Sequence, residues 1–152
     1  MYLTFRKKIT GLGGKHVRRF TEETLRLLGK SGADLSLVLT GDREIKRFNQ
    51  KYLKHNWPTD VLAFGDAERS RPLARFGPHT KLFLGDVMIS IDRAKAQAKQ
   101  YGTQWRDELE LYIVHGILHI LGLDDHNEKD RSRMRKKESQ ILNHLHNENI
   151  HL

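Results

Sequence analysis

Hydrophobic and polar positions divide the first third of the chain into alternating short strands and amphipathic helices. Residues 1–10 alternate loosely and predict an edge strand, and residues 15–30 place apolar side chains on one helical face. Alternation and β-branching predict a strand over residues 33–40. Turn and capping residues then introduce a helix that runs to about Leu53.

Two further strands are predicted near the middle of the chain, and we expect them to pair. Residues 60–64 form a short apolar run, and residues 81–90 form a longer one that is interrupted by a Gly-Asp pair. Between them, residues 65–80 hold two of the three prolines and predict a long loop, which in a compact domain is usually functional or mobile. Helices follow over residues 91–101 and from residue 127 onward.

These elements predict the α+β class. We expect one domain over residues 1–152, because this length is enough to bury a core and no boundary or repeat is visible. The sheet is expected to be small and mixed, with three or four strands flanked by helices.

A segment that is apolar on most of its circumference, residues 109–121, predicts a buried helix. It carries His115 and His119, whose Cβ atoms would lie about 5–6 Å apart, so that both imidazoles can converge on one metal ion. Gly122 stands where a left-handed C-terminal cap is expected. The turn that follows can bring a further ligand to the same ion, with three candidates: Asp124, Asp125 and His126.

Three protein ligands with a fourth position open are typical of a catalytic zinc. The chain has no cysteine, which excludes disulfides and thiolate ligands, so a metal must be held by nitrogen and oxygen. The alternative is that both helical histidines are core residues hydrogen-bonded to backbone, and that His126 is simply exposed.

The charge balance favours a polyanionic partner. The net charge of +8 points first to nucleic acid, although a basic surface kept for solubility is the alternative. No stretch has the length of a membrane-spanning helix, and the first residues lack the apolar core of a secretory signal. We therefore expect a cytoplasmic protein without a membrane partner.

Several blocks of the sequence resemble one known family. The run His-Gly-Ile-Leu-His-Ile-Leu-Gly-Leu-Asp-Asp-His at residues 115–126 is similar to the signature of the YbeY family of bacterial metal-dependent endoribonucleases. Asn49 and Tyr52, followed by Pro-Thr-Asp-Val-Leu-Ala-Phe at residues 58–64, and Leu-Gly-Asp-Val at residues 84–87 agree with it. The resemblance covers about residues 34–145 in the right order.

The resemblance implies a zincin-like α+β fold and one zinc ion per chain, held by three histidines. It also implies hydrolysis of single-stranded RNA, in maturation of the 3′ end of small-subunit ribosomal RNA and in ribosome quality control. The partners would then be ribosomal RNA and the small subunit.

The chain departs from the family pattern at two places. The family places its third ligand ten residues after the first, where this chain has Asp125, and His126 stands eleven residues after His115. We expect His126 to be the ligand, with one extra residue in the turn, and Asp125 to be the alternative. Leu53 occupies a position where the family has an arginine, and Lys54 could supply the charge.

The residue after the first histidine is Gly116, where thermolysin-type proteases carry their general-base glutamate. Its absence argues against a zinc peptidase and is expected to leave room beside the helix for a bulky substrate. The candidate catalytic carboxylates are Asp60, Asp86 and Asp124, with a supporting role at a ligand histidine as the alternative for each. Glu108, seven residues before His115, is expected to orient a ligand histidine in the same way.

RNA binding is expected to fall to basic residues of the long loop, of its neighbourhood and of the last helix, with a solvated surface as the alternative. These are Lys54, Arg69, Arg71, Arg75, Arg131, Arg133, Arg135 and Lys136. Trp57 could stack a base or belong to the core. The histidines outside the motif, which include His144, His146 and His151, are expected to be surface residues without a site role. A second function that fits the sequence is a non-catalytic, rRNA-binding assembly factor with a structural zinc.

Overall fold

The computed structural model describes residues 1–54, 56–57, 59–65 and 82–152. The loop predicted over residues 65–80 therefore lies, beyond Gly65, outside the described residues, and so do its arginines Arg69, Arg71 and Arg75. The elements in chain order are β1 (Tyr2–Phe5), α1 (Gly14–Leu27), β2 (Asp34–Thr40), α2 (Asp42–Phe48), a π-helical turn (Asn49–Leu53), β3 (Val61–Gly65), β4 (Phe83–Ser90), α3 (Ile91–Tyr101), α4 (Trp105–Ile120) and α5 (Glu128–Asn147).

The strands form one mixed sheet in the order β1-β2-β4-β3. β1, β2 and β4 are parallel, whereas β3 runs antiparallel to β4 and lies at one end of the order. Val61 stands opposite Ile89, and Gly65 stands opposite Gly85. The predicted α+β class, the edge position of the first strand and the pairing of the two middle strands are confirmed.

The Gly-Asp pair makes a bulge in β4 rather than a break. Asp34 of β2 pairs with Phe83 and Leu35 pairs with Gly85, so Leu84 is an extra residue. Gly85 has φ +149°, and a Cβ there would lie 2.1 Å from the carbonyl oxygen of Phe64. The strand needs glycine at this position because no side chain fits against β3.

Alternation along the strands produces two apolar faces. One face, with Val87 and Ile89, belongs to the main core, which includes residues of α1, α3, α4 and α5. The other face, with Val38 and Met88, packs against Ile45 of α2. Helix α4 contacts α1, α3, α5, β3 and β4, so the prediction that the histidine helix is buried is confirmed.

Gly116 lies where α4 crosses the sheet. A Cβ on this residue would lie 2.6 Å from Cγ1 of Val87 and 3.1 Å from Cγ1 of Val61. The expectation that Gly116 leaves room for a substrate is therefore wrong. The small residue allows the helix and the sheet to approach each other, and strand side chains fill the space.

Candidate metal centre

The two histidines of α4 meet near its C-terminal end. The Nε2 atoms of His115 and His119 lie 2.9 Å apart, and their ring planes are nearly perpendicular, at 82°. Their side chains are 23% and 26% exposed, so both rings are partly open to solvent on a helix that is otherwise largely buried. The four-residue spacing thus brings two imidazole nitrogens together, as helix geometry predicts.

The turn after α4 is a Schellman motif. The N–H of Gly122 donates to the carbonyl of His119 at 2.9 Å, and the N–H of Leu123 donates to the carbonyl of Leu118 at 3.0 Å. Gly122 has φ +89°, as the left-handed position requires. The motif reverses the chain and returns the residues after it toward the histidines.

Asp125 is the residue that the turn brings to the two histidines. Its Oδ2 lies 3.8 Å from Nε2 of His115, and its Oδ1 lies 3.8 Å from Nε2 of His119. One ligand atom from each of the three residues lies within 4.8 Å of the other two. His126 is 85% exposed, and its Nε2 lies 3.2 Å from Oδ1 of Asp124. The structure therefore places His126 outside the group formed by His115, His119 and Asp125.

Glu138 of α5 orients His115. Its Oε1 lies 2.6 Å from Nδ1 of His115, so this contact favours a proton on Nδ1 and a free lone pair on Nε2. Burial is the largest effect on the pKa of His115 and lowers it, but Glu138, with the charges of Asp125 and Asp60, outweighs burial and raises this pKa above its usual value. The pKa of His119 is lowered by burial and by the neighbouring His115.

Glu108 does not have the orienting role that was expected of it. Its Oε1 accepts a hydrogen bond from Oγ1 of Thr103 at 2.6 Å. Seven residues of helix span about 10 Å, so Glu108 starts two turns away from His115. Glu138 performs the role instead. Its sequence signal is a carboxylate in the apolar stripe of α5, four residues after Met134 and three before Ile141.

The three candidate catalytic carboxylates lie in different surroundings. Asp60 lines both cavities with His115, and its Oδ1 accepts the N–H of Val61 at 2.9 Å. Asp124 lies on the exposed turn, where its Oδ1 accepts the N–H of Asp125 at 2.8 Å. Asp86 is 1% exposed and alternates with Val87, which faces α4, so Asp86 lies on the opposite face of the sheet. Of the three, Asp60 is the one that lines both cavities with His115.

Two cavities meet at the histidines. One, of about 600 Å³, extends between α3, α4 and α5, and the other, of about 740 Å³, extends along β3, the π-helical turn and the turn after α4. Four residues line both of them: Thr59, Asp60, His115 and Asp125. The candidate metal centre therefore lies in the middle of a longer groove.

Some of the predicted RNA-binding residues line this groove. Arg131 and Arg135 line the first cavity, together with Arg93, which the sequence did not single out. The Nη1 of Arg131 also donates to the carbonyls of Asp125 and His126, at 3.4 and 3.3 Å, and so braces the turn. The other described members of the predicted set, Lys54, Arg133 and Lys136, are exposed and line neither cavity.

Two exposed apolar side chains stand at the second cavity. Trp57 is 57% exposed and Leu53 is 44% exposed, and both line it. Leu53, which stands where the resemblance implies an arginine, thus faces the groove. Lys54, which could have replaced that charge, has a left-handed backbone with φ +59° and lies outside the lining.

Comparisons with known proteins point to one family. The profile of the family described as Endoribonuclease YbeY matches residues 6–146. Among curated proteins, the Endoribonuclease YbeY of Geobacter metallireducens is 37% identical over 91% of this chain and 91% of its own length. That of Myxococcus xanthus is 45% identical over 74% of this chain, although the match spans only 36% of the Myxococcus protein.

A solved structure has the same fold. The solution structure of TM1509 from Thermotoga maritima superposes with a TM-score of 0.59 at 23% sequence identity, over 93% of this chain and 86% of that one. Within the described ranges, no helix is long and apolar enough to cross a membrane. With the profile match over nearly the whole chain, these findings show that the chain belongs to the YbeY family of endoribonucleases.

Proposed function

We propose that this chain is a zinc-dependent endoribonuclease that cuts single-stranded RNA, with one zinc ion held by His115, His119 and Asp125. The observation that carries the proposal is the convergence of these three residues in the middle of a groove. In this proposal Asp125 takes the place that the sequence assigned to His126. All three proposed ligands belong to α4 or to the segment that its Schellman turn leads back to the site.

The chemistry of the three donors fits zinc. Zinc–nitrogen and zinc–oxygen distances of about 2.0–2.1 Å put the ligand atoms of a tetrahedral site about 3.3 Å apart. The separations here are 2.9 Å between the two histidines and 3.8 Å from each histidine to Asp125. Two imidazoles and one carboxylate are also the donors of several catalytic zinc sites.

A zinc ion in such a site polarises a phosphoryl oxygen and makes water more acidic. The chain's own residues supply the remaining functions. Glu138 holds the His115 ring so that Nε2 faces the site, and Arg131 holds the turn that carries Asp125. Asp60, at the junction of the two cavities, is the carboxylate that we propose to accept a proton from the attacking water.

The groove suits an extended polyanion better than a compact substrate. It continues on both sides of the histidines, so an RNA strand can cross the site with nucleotides bound before and after the scissile phosphate. Arg93, Arg131 and Arg135 offer guanidinium groups to phosphates on one side. Trp57 offers an aromatic face for a base on the other side.

The test is cleavage of a single-stranded RNA that carries the 3′ end of small-subunit ribosomal RNA, with a fully paired duplex as the comparison. We expect cutting of the single strand by the zinc-loaded protein, at least a hundredfold faster than by the chelated protein or by His119→Ala. His144→Ala is the matched control, because this exposed histidine lies on α5 and lines neither cavity.

The same measurement separates this proposal from the second candidate. If the wild-type protein binds zinc and the RNA but never cuts the RNA, it is a non-catalytic, rRNA-binding assembly factor with a structural zinc. Cleavage that survives both chelation and His119→Ala would overturn the proposed site. Cleavage of unrelated single strands with no preference for the rRNA end would remove the proposed role in rRNA maturation and leave the nuclease.

A further inference from the structure

A second group of metal-ligating side chains lies outside the groove. It consists of Glu110 of α4, His146 of α5 and His151 of the segment after α5, and we call it the Glu110 cluster. One ligand atom from each residue lies within 4.8 Å of the other two. None of the three lines either cavity of the groove, and the sequence predicted no role for its two histidines.

Glu110 is a carboxylate inside the protein. It is 1% exposed on a helix that is otherwise largely apolar, and burial of an ionised carboxylate is costly unless partners compensate it. Its Oε2 lies 2.6 Å from Nε2 of His146, and its Oε1 accepts the N–H of Leu152 at 2.8 Å. Nδ1 of His151 lies 4.0 Å from Oε1. The carboxylate is thus fixed in place by His146 and the N–H of Leu152, with the imidazole of His151 nearby.

The two histidines leave the cluster open on one side. The rings of His146 and His151 stack with their centroids 4.6 Å apart, and their side chains are 36% and 52% exposed. An ion from solvent can therefore reach the nitrogens while the carboxylate stays buried beneath them. The Glu110 cluster thus combines access for an ion from solvent with a buried anionic ligand.

A Schellman motif positions the third ligand, His151, as the turn after α4 positions Asp125. The N–H of Asn149 donates to the carbonyl of His146, and that of Ile150 donates to the carbonyl of Leu145, both at 3.0 Å. Asn149 has φ +56°, so α5 ends in a second Schellman motif. Ile150 is 4% exposed and anchors the returning segment in the core. The reversal brings His151 back over the end of α5.

We infer that the Glu110 cluster is a second transition-metal site, with two imidazoles and one carboxylate as its ligands. This donor set suits zinc, and also cobalt or nickel, and does not suit magnesium or calcium, which prefer oxygen ligands alone. A metal bound here ties α4, α5 and the segment after α5 together at a distance from the groove. The site is independent of the proposed nuclease activity.

The test counts metal ions per chain in the full-length protein. We expect two zinc ions in the wild type, one in His151→Ala and two in His144→Ala, the matched control on the same helix. A His115→Ala/His119→Ala variant should keep one ion and lose it when His151→Ala is added. Cobalt(II) in this double variant should give the visible absorption of a site with nitrogen and oxygen ligands, and His151→Ala should abolish it.

Two results would overturn the inference: the same zinc content in His151→Ala as in the wild type, or no metal in the His115→Ala/His119→Ala variant when circular dichroism shows it to be folded. Each would mean that Glu110 and His146 form a hydrogen-bonded pair and nothing more. His151 is exposed, so His151→Ala is expected to fold normally. Its RNA cleavage should match the wild type, which separates this outcome from a failure of the nuclease proposal.

Discussion

Asp125 and His126 are neighbours on one turn, yet only Asp125 directs its side chain to the histidines of α4. We predict that Asp125→Ala lowers zinc affinity at least tenfold, because it removes one of three ligands. His126→Ala should change it less than about twofold, because this side chain is exposed. The measurement is competition against a zinc chelator of known affinity.

The opposite order of the two variants would restore His126 as the ligand. It would mean that the turn rearranges when metal binds, since His126 now pairs with Asp124 at 3.2 Å. Equal losses of zinc affinity in Asp125→Ala and His126→Ala would indicate that both residues bind the ion. The experiment therefore decides the one ligand that the sequence left open.

Glu138 supports a prediction about orientation rather than ligation. Glu138→Gln keeps the shape of the side chain but removes the charge that holds the proton on Nδ1 of His115. We predict a 10–100-fold loss of zinc affinity, the usual effect of removing such a partner. Glu108→Gln is the matched control, a buried glutamate of α4 that accepts from Thr103, and its zinc affinity should match the wild type. A loss in Glu108→Gln as large as in Glu138→Gln would contradict the assignment.

The residues of the candidate site differ in how far the sequence could predict them. His115 and His119 follow from helix geometry alone, because their spacing fixes the distance between them. Glu138 reaches His115 only through the packing of α5 on α4, over 23 residues of sequence. No local pattern specifies such a contact. The sequence therefore pointed to Glu108, which lies on the same helix as His115, as the carboxylate that orients this histidine.

At the scale of elements, α4 and α5 are joined by two Glu–His pairs of opposite sense. His115 of α4 meets Glu138 of α5, and Glu110 of α4 meets His146 of α5. The earlier residue of α4 contacts the later residue of α5, so the two helices run antiparallel. The His115 pair lies near the Schellman turn that ends α4, and the His146 pair lies near the one that ends α5. This explains why a third ligand can come from the segment that follows each helix.

The packing of α4 on the sheet yields a prediction about stability. Gly116→Ala places a Cβ 2.6 Å from Val87, which is fully buried and cannot move away freely. Overpacking costs about 1–3 kcal/mol, and the better helix propensity of alanine returns up to about 1 kcal/mol. We predict a net loss of unfolding free energy, measured by urea denaturation.

Gly14→Ala is the matched control for Gly116→Ala. Its Cβ would meet Phe5 at 3.5 Å, an ordinary contact, so its unfolding free energy should stay the same or rise slightly. If Gly116→Ala were as stable as the wild type, the helix would have to sit farther from β4 than it does here. The expected room for a substrate beside Gly116 would then be real.

The first turns of α2 and α3 are linked by one carboxylate. Oδ2 of Asp92 accepts the N–H of Asp42 at 3.0 Å, and Oδ1 pairs with Lys7. Burial is the largest effect on the pKa of Asp92 and raises it, but the bonds from Lys7 and Asp42 with the charges of Lys7 and Lys95 outweigh burial and lower this pKa below its usual value. The carboxylate therefore stabilises the fold in its ionised form.

We predict that Asp92→Ala loses about 0.5–1 kcal/mol of unfolding free energy near neutral pH, as a lost helix cap does. Because the pKa is lower in the folded state, the stabilisation is present above the unfolded value of 3.8 and disappears as the pH falls below it. Urea midpoints of variant and wild type should converge in acid. A gap that persists in acid would contradict the prediction.

Most elements could be predicted from the sequence because their apolar positions repeat with a helical or strand period. The predicted helix to Leu53 ends at Phe48 in α-helical form and continues as a π-helical turn, and the predicted break at Gly85 is a bulge. Both features depend on how neighbouring elements pack, which a single segment does not encode. The strand order likewise needed the structure.

At the scale of the whole molecule, the groove selects among the basic residues that composition could only count. The chain carries a net charge of +8, and α5 is dense in arginine and lysine, but only some of these side chains line a cavity. Helical periodicity separates Arg131 and Arg135 from Arg133 and Lys136 on that helix. A polyanion that follows the groove should feel the first pair much more strongly than the second.

This selection can be tested by the salt dependence of RNA binding. Each phosphate of a single strand that a cation neutralises adds about 0.7 to the slope of log affinity against log salt concentration. We predict that Arg135→Gln lowers the magnitude of this slope by about 0.7, measured with a single-stranded oligonucleotide in the presence of chelator so that nothing is cut. Arg133→Gln, two residues away on the same helix and outside the groove, should leave it unchanged. Equal changes of slope in Arg135→Gln and Arg133→Gln would mean that the RNA binds to the general charge of α5 rather than in the groove. A change in Arg135→Gln alone requires that the RNA lie between α3 and α5.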